Sequence, residues 1–223
     1  MKIEMLRETL YSGIWGTIGP RAQEAGSLLG ERWGNGFGLL MHSGTAAYET
    51  ALRSLGIGHG DLVLCPAGGQ RMDGEIAAAI GATPVFRKGA QGSLPLSVED
   101  CRASLADLRQ VKAVGLDDTR GLDLPGMVQV CREGGCELIL NMQDNLDRTE
   151  GWEGIYAAIF DLGVCGGAVT GREEIYRSLF AWHHCGHAPG TADSLSFDQI
   201  LGGDMRVSEW QAIAAMEILK EVP

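Results

Sequence analysis

Gly38-Leu39-Leu40-Met41-His42-Ser43-Gly44-Thr45-Ala46-Ala47-Tyr48-Glu49-Thr50-Ala51-Leu52 passes from an apolar run through a small polar turn into a helix-forming run. Residues 36–41 read as a short buried strand and residues 46–55 as a helix closed by Gly56. A strand, a tight turn and a helix make the repeating unit of a parallel α/β sheet. The turn itself, His42-Ser43-Gly44-Thr45, has two readings. Ser and Thr cap helices wherever they occur. Free backbone N–H groups and the helix dipole also make such a turn an anion cradle, with Gly44 allowing close approach and the Ser43 and Thr45 hydroxyls donating.

Outward from this unit the alternation continues. Residues 61–65, 83–87, 111–116, 137–140, 156–160 and 168–170 are short apolar runs, and residues 21–33, 72–80, 124–133 and 173–182 carry helix patterns. Ser97-Val98-Glu99-Asp100 caps a predicted helix to Leu108, and Ser208-x-x-Gln211 is a capping box opening a last helix to Glu221. Residues 1–12 read only as a partly apolar lead-in. The strands lack clean period-two polarity, so helices are expected on both faces of the sheet. The prediction is an α/β fold of three layers, α/β/α, with a mostly parallel sheet. No repeat or linker divides the chain, so residues 1–223 are expected to form one domain, with 1–20 as its lead-in.

Composition narrows the function. The chain has 223 residues, 45% hydrophobic and 21% charged, which suits a globular core and excludes disorder or a coiled coil. Lys and Arg number 18 against 29 Asp and Glu, a net charge of −11. Phosphate repels so acidic a chain, so no nucleic-acid partner is expected. No apolar run approaches the roughly 20 residues of a membrane span. Charged residues among Met1 to Arg7 do not read as a signal peptide, so a cytoplasmic protein is expected. Cysteines 65, 101, 131, 136, 165 and 185 have no CxxC spacing and are read as reduced thiols. There are four lysines, Lys2, Lys88, Lys112 and Lys220, and none between the last two.

Ser43-Gly44-Thr45-Ala46-Ala47, Ala51-Leu52, Leu55-Gly56-Ile57-Gly58, Gly60-Asp61 and Pro66 are followed by Ile80-Gly81-Ala82-Thr83-Pro84-Val85-Phe86. Gly166-Gly167-Ala168-Val169-Thr170 and Gly202-Gly203-Asp204-Met205-Arg206-Val207-Ser208-Glu209-Trp210-Gln211-Ala212 come later. In order and spacing these segments resemble the sugar aminotransferases of the DegT/DnrJ/StrS type, pyridoxal-phosphate (PLP) enzymes of fold type I. The resemblance implies the large domain of that fold without its small C-terminal domain. It also implies a dimer with sites at the subunit interface, where residues 1–20 would lie, and Ser43, Gly44 and Thr45 as the cofactor's phosphate turn.

Against the same family the chain departs at four other positions that handle the cofactor. The family's Schiff-base lysine belongs between the strand matching residues 156–160 and the pair matching Gly166-Gly167; here the stretch reads Phe160-Asp161-Leu162-Gly163-Val164-Cys165. The acid that pairs with the ring nitrogen falls at Asn141 or Met142. Gln70 stands where an aromatic residue stacks on the ring. Asp204 stands where an asparagine reaches the neighbouring subunit's cofactor phosphate, and an acid there is repulsive.

Other constellations carry blander readings. His183-His184-Cys185-Gly186-His187 has metal-binding residue types, but adjacent histidines diverge on a helix, so a structural loop is expected and no metal. Asp117-Asp118-Thr119-Arg120 reads as a solvated turn or as acids for Mg²⁺ or a sugar hydroxyl, with Asp144 and Asp147 alike; Arg71 reads as a surface cation or an anion contact, and Cys65 as a buried thiol. Trp15, Trp33 and Trp152 fit either a protein contact or the core.

The expectation is an aminotransferase-like pseudoenzyme with no cofactor of its own, PLP being reachable only through a partner subunit. It would be an accessory subunit pairing with a full-length aminotransferase in amino-sugar or aminocyclitol biosynthesis, or a homodimer. Two alternatives stay open: part of a composite PLP-dependent site, or a cleft reused for PLP-independent binding or catalysis on a phosphorylated or nucleotide-linked sugar.

Overall fold

The computed structural model describes residues 3–16, 18–33, 36–68, 71–92, 96–108, 110–117, 121–142, 153–189 and 202–221. Among them, β1 (Leu39–Met41), β2 (Leu62–Pro66), β3 (Thr83–Arg87), β4 (Val111–Asp117), β5 (Glu137–Asn141), β6 (Ala157–Asp161) and β7 (Gly167–Gly171) form one sheet. Its order is β1-β7-β6-β5-β4-β2-β3. Neighbours from β6 to β3 run parallel, while β7 is antiparallel to both β6 and β1. The mostly parallel sheet is therefore as expected.

Eight α-helices are described: α1 (Ile3–Ser12), α2 (Pro20–Arg32), α3 (Gly44–Ser54), α4 (Arg71–Ala79), α5 (Val98–Asp107), α6 (Leu124–Gly134), α7 (Tyr176–His183) and α8 (Glu209–Glu221). Alternation along the strands divides the core in two. Leu64, Val114, Leu138 and Phe160 face α2, α5, α6 and α8, whereas Val63, Ala113, Ile139 and Ile159 face α3, α4 and α7. Both faces are covered, which is why the strands read as unbroken apolar runs. Burying a side chain such as Leu29 or Leu52 contributes roughly 1.5–3 kcal/mol.

Local chemistry sets the helix ends. Ser43 is the N-cap of α3, its Oγ accepting from Ala46 N–H at 3.1 Å, so the helix begins two residues earlier than the pattern over 46–55 indicated. Ser97 and Asp100 form a reciprocal capping box on α5, and Ser208 with Gln211 does the same for α8. Helix α2 has Gly19 at its N-cap and no side-chain cap of its own. The buried carboxylate of Glu209, on α8, accepts from Arg21 N–H at 2.8 Å and Ala22 N–H at 2.9 Å instead. A Cβ on Gly19 would stand 2.7 Å from a Glu209 carboxylate oxygen, so this cap needs glycine there.

The structure sharpens the readings at the N-terminal end and decides between the two left open for Trp33. The lead-in contains a helix, α1, which lies against α8 with Thr9 buried and Met5 and Leu6 packed on the core. The strand read over 36–41 is confined to β1. Trp33 is core, its ring centroid 4.6 Å from that of Phe160, whereas Trp15 is exposed and Trp152 lies outside the described residues.

Candidate functional site

The alternation that turns Val63, Ala113, Ile139 and Ile159 toward α3 and α4 carries Cys65, Asp117, Asn141 and Asp161 to the same face two or four residues on. All four stand at the C-terminal ends of strands, β2, β4, β5 and β6. In an open parallel sheet this edge is where ligands bind. Helix α3 starts here with the Ser43 turn, and α4 contributes Asp73.

Asp73 was not singled out by the sequence. It is 3% exposed, and Asn141 Nδ2 donates to its two carboxylate oxygens at 3.2 and 3.3 Å. Burial, and secondly the charge of Asp117, raise its pKa to about 7, against a smaller lowering by the Asn141 amide. The Tyr48 hydroxyl is buried without a hydrogen-bond partner among the described residues and packs over Gly115, where a Cβ would collide with it. Burial, then Asp73, raise the Tyr48 pKa as well. Cys65 is a buried thiol pushed up to about 12, by burial first and then by Asp73 and Asp117, so it is not a thiolate nucleophile.

Asp161 lies against the turn. A Cβ on Gly44, the first residue of α3, would stand 2.8 Å from Asp161 Cβ and 2.9 Å from its carboxyl carbon. Gly163 N–H donates to Asp161 Oδ1 at 2.9 Å and orients the group. Gly167, the cross-strand neighbour of Asp161, abuts Ser43 and Gly44 as well. Two like charges about 4 Å apart repel by roughly 1 kcal/mol in water and roughly 4 kcal/mol near a protein surface. A helix start returns only about 0.3–1 kcal/mol to an exposed anion. A second anion at this turn is therefore disfavoured.

The connection from β6 to β7 is a short closed loop. Leu162 N–H donates to Gly166 O at 2.9 Å, and Gly166 N–H to Gly163 O at 3.0 Å. It holds no lysine. Lys112 is the second residue of β4, at the far end from the cleft; Lys88 follows edge strand β3; Lys220 is near the end of α8, 3.9 Å from Glu24.

Asp204 is tied to its own loop, its two carboxylate oxygens accepting from Arg206 at 2.7 and 2.9 Å, which holds its carboxyl below the usual range. Gln70 and the side chain of Arg71 lie outside what the structure describes, as do Asp118, Asp144 and Asp147. His183 is buried and donates from Nε2 to Leu40 O at 3.0 Å; burial lowers its pKa to about 4. Among the described residues no group of three or more His, Cys, Asp or Glu is placed to hold a metal ion, and no helix is long and apolar enough to cross a membrane.

Residues 1–139, which include β1 to β4 with Ser43, Cys65, Asp73 and Asp117, match the model of the DegT/DnrJ/EryC1/StrS aminotransferase family. The chain belongs to this family. The fold is that of solved DegT/DnrJ/EryC1/StrS-type aminotransferases and their relatives. An aminotransferase from Psychrobacter cryohalolentis superposes with a TM-score of 0.80 at 20% identity, over 97% of this chain and 60% of that one. A 3-amino-5-hydroxybenzoic acid synthase gives 0.83 at 24% identity, over 98% and 60%. A putative sugar aminotransferase from Streptococcus pneumoniae, in its PMP form, gives 0.84 at 19% identity, over 99% and 63%. The chain thus spans about 60% of the length of these relatives. Within the family's fold, Ser43, Gly44, Asn141 and Asp161 come to one edge; Asp204 stands on the loop before α8.

Proposed function

We propose that this member of the family is a non-catalytic, cytoplasmic subunit that pairs with a full-length, lysine-bearing aminotransferase and binds no PLP of its own. By resemblance, the pathway is amino-sugar or aminocyclitol biosynthesis. The observation that supports the reading is the closed β6–β7 loop, which holds no lysine where the resemblance expects the Schiff-base lysine.

PLP needs a lysine for the Schiff base, an acid at the ring nitrogen and donors for the phosphate. Here Asn141 already gives its amide to Asp73, and the Asp161 carboxylate lies on the phosphate turn. This donor set does not fit the cofactor. The apolar residues exposed along and after α1, Ile3, Leu10, Tyr11, Ile14 and Trp15, suit a protein partner at the N-terminal segment.

The test is affinity purification of the tagged chain from its native cell, followed by mass spectrometry. A near-stoichiometric aminotransferase homologue whose activity rises when this chain is added supports the reading. Recovery of a homodimer or monomer, or transamination by the chain alone, would overturn it.

A further inference from the structure

We infer that Asp161 is the built-in anion of the Ser43-Gly44-Thr45 turn, so that this helix start rejects phosphate instead of cradling it. Three observations meet at the turn. The carboxyl carbon of Asp161 stands 2.9 Å from the Cβ position of Gly44, the first residue of α3. The Gly163 N–H holds one carboxylate oxygen at 2.9 Å, so the group is fixed in the loop rather than swung away. Gly167, paired with Asp161 across the strands, faces the same turn, and a Cβ there would collide with Gly44 N and the Ser43 carbonyl.

A helix N-terminus favours one nearby negative charge. In this chain the charge is covalently attached and needs no ligand. A phosphate dianion arriving at the start of α3 would approach a carboxylate of like sign, in a chain that already carries a net charge of −11. Ser43 Oγ is meanwhile engaged as acceptor from Ala46 N–H, in an ordinary helix cap. The turn keeps the shape of a phosphate site and has the opposite selectivity.

The inference rests on the reading that the cleft holds no PLP of its own, and the two fail separately, because a missing protein partner has no bearing on phosphate affinity. The experiment is calorimetric titration of the 223-residue chain with inorganic phosphate and with PLP, for the native sequence, Asp161→Ser and Asp161→Asn. Each variant is first shown to melt cooperatively. The native chain is expected to give no saturable heat with inorganic phosphate. At least one folded variant should bind it about tenfold or more tightly, because a like charge has been removed. Adding Ser43→Ala to that variant should reduce the gained affinity, tying it to the turn. Saturable binding by the native chain equal to that of the variants would overturn the inference, as would folded variants that gain nothing. A gain unaffected by Ser43→Ala would place the anion elsewhere and overturn it too.

Discussion

Asn141 gives its amide to both carboxylate oxygens of Asp73, across 3.2 and 3.3 Å, and so joins the end of β5 to the first turn of α4. The contact brings a buried acid, rather than a solvated one, to the C-terminal edge of the sheet.

That acid makes stability depend on pH in a defined direction. The folded pKa of Asp73 is raised from 3.8 to about 7, so between these values the folded state keeps a proton that the unfolded state has lost. The stabilisation is present in full below the unfolded value and disappears as pH rises through the folded one. Asp73→Asn should therefore melt higher than the native chain at about pH 8, with the difference shrinking toward zero near about pH 4. Melting curves across this range would show it. A constant difference would mean that Asp73 does not titrate there.

Tyr48 and Gly115 make a second test. The buried hydroxyl has no partner, so Tyr48→Phe should be neutral or stabilise by up to about 1 kcal/mol. Gly115→Ala pushes a methyl group into that hydroxyl and should cost about 1–3 kcal/mol. Combined with Tyr48→Phe, most of the cost should vanish. A denaturant double-mutant cycle measures the coupling, and additive changes would contradict the packing described.

Glu209 should be worth more than its exposed neighbours. Removing it strands two backbone N–H groups at the start of α2, and Glu209→Ala is expected to cost on the order of 3 kcal/mol in urea unfolding. Glu209→Gln retains one acceptor oxygen and should lose less. Equal, negligible losses would show that water caps α2 instead.

Borohydride reduction after incubation with PLP should leave Lys88, Lys112 and Lys220 unmodified by mass spectrometry at cofactor concentrations that label a lysine-bearing homologue. A stoichiometric adduct on Lys88, beside edge strand β3, would contradict the proposed loss of the Schiff base.

The layers, the strand sequence and both capping boxes are legible in the chain because they depend on residues a few positions apart. Ser97 with Asp100 and Ser208 with Gln211 declare themselves by spacing. Asp73 and Glu209 do not. Each looks like an ordinary first-turn acid of its own helix, α4 or α8, placed to suit the helix dipole. Asp73 instead meets Asn141, 68 positions away, and Glu209 meets Arg21, 188 positions away. A hint for Asp73 was present, since Ile76 and Ala77, three and four residues on, are core residues of the same helix face. Asp161 reads as a polar residue after an apolar strand; only the β6–β7 register sets it on Gly44.

The cap that Glu209 supplies also bears on the order in which the chain can assemble. Strand β1 finds its sheet neighbour in β7, and α2 finds its cap in α8, both encoded near the other end of the sequence. While the chain is being synthesised, residues 1–139 can emerge complete and still lack both partners. Their edge strand and first long helix must wait for the last elements to arrive, which places loop closure across most of the sequence among the final events of folding. A nascent chain of this protein should thus expose apolar surface until synthesis has passed α8.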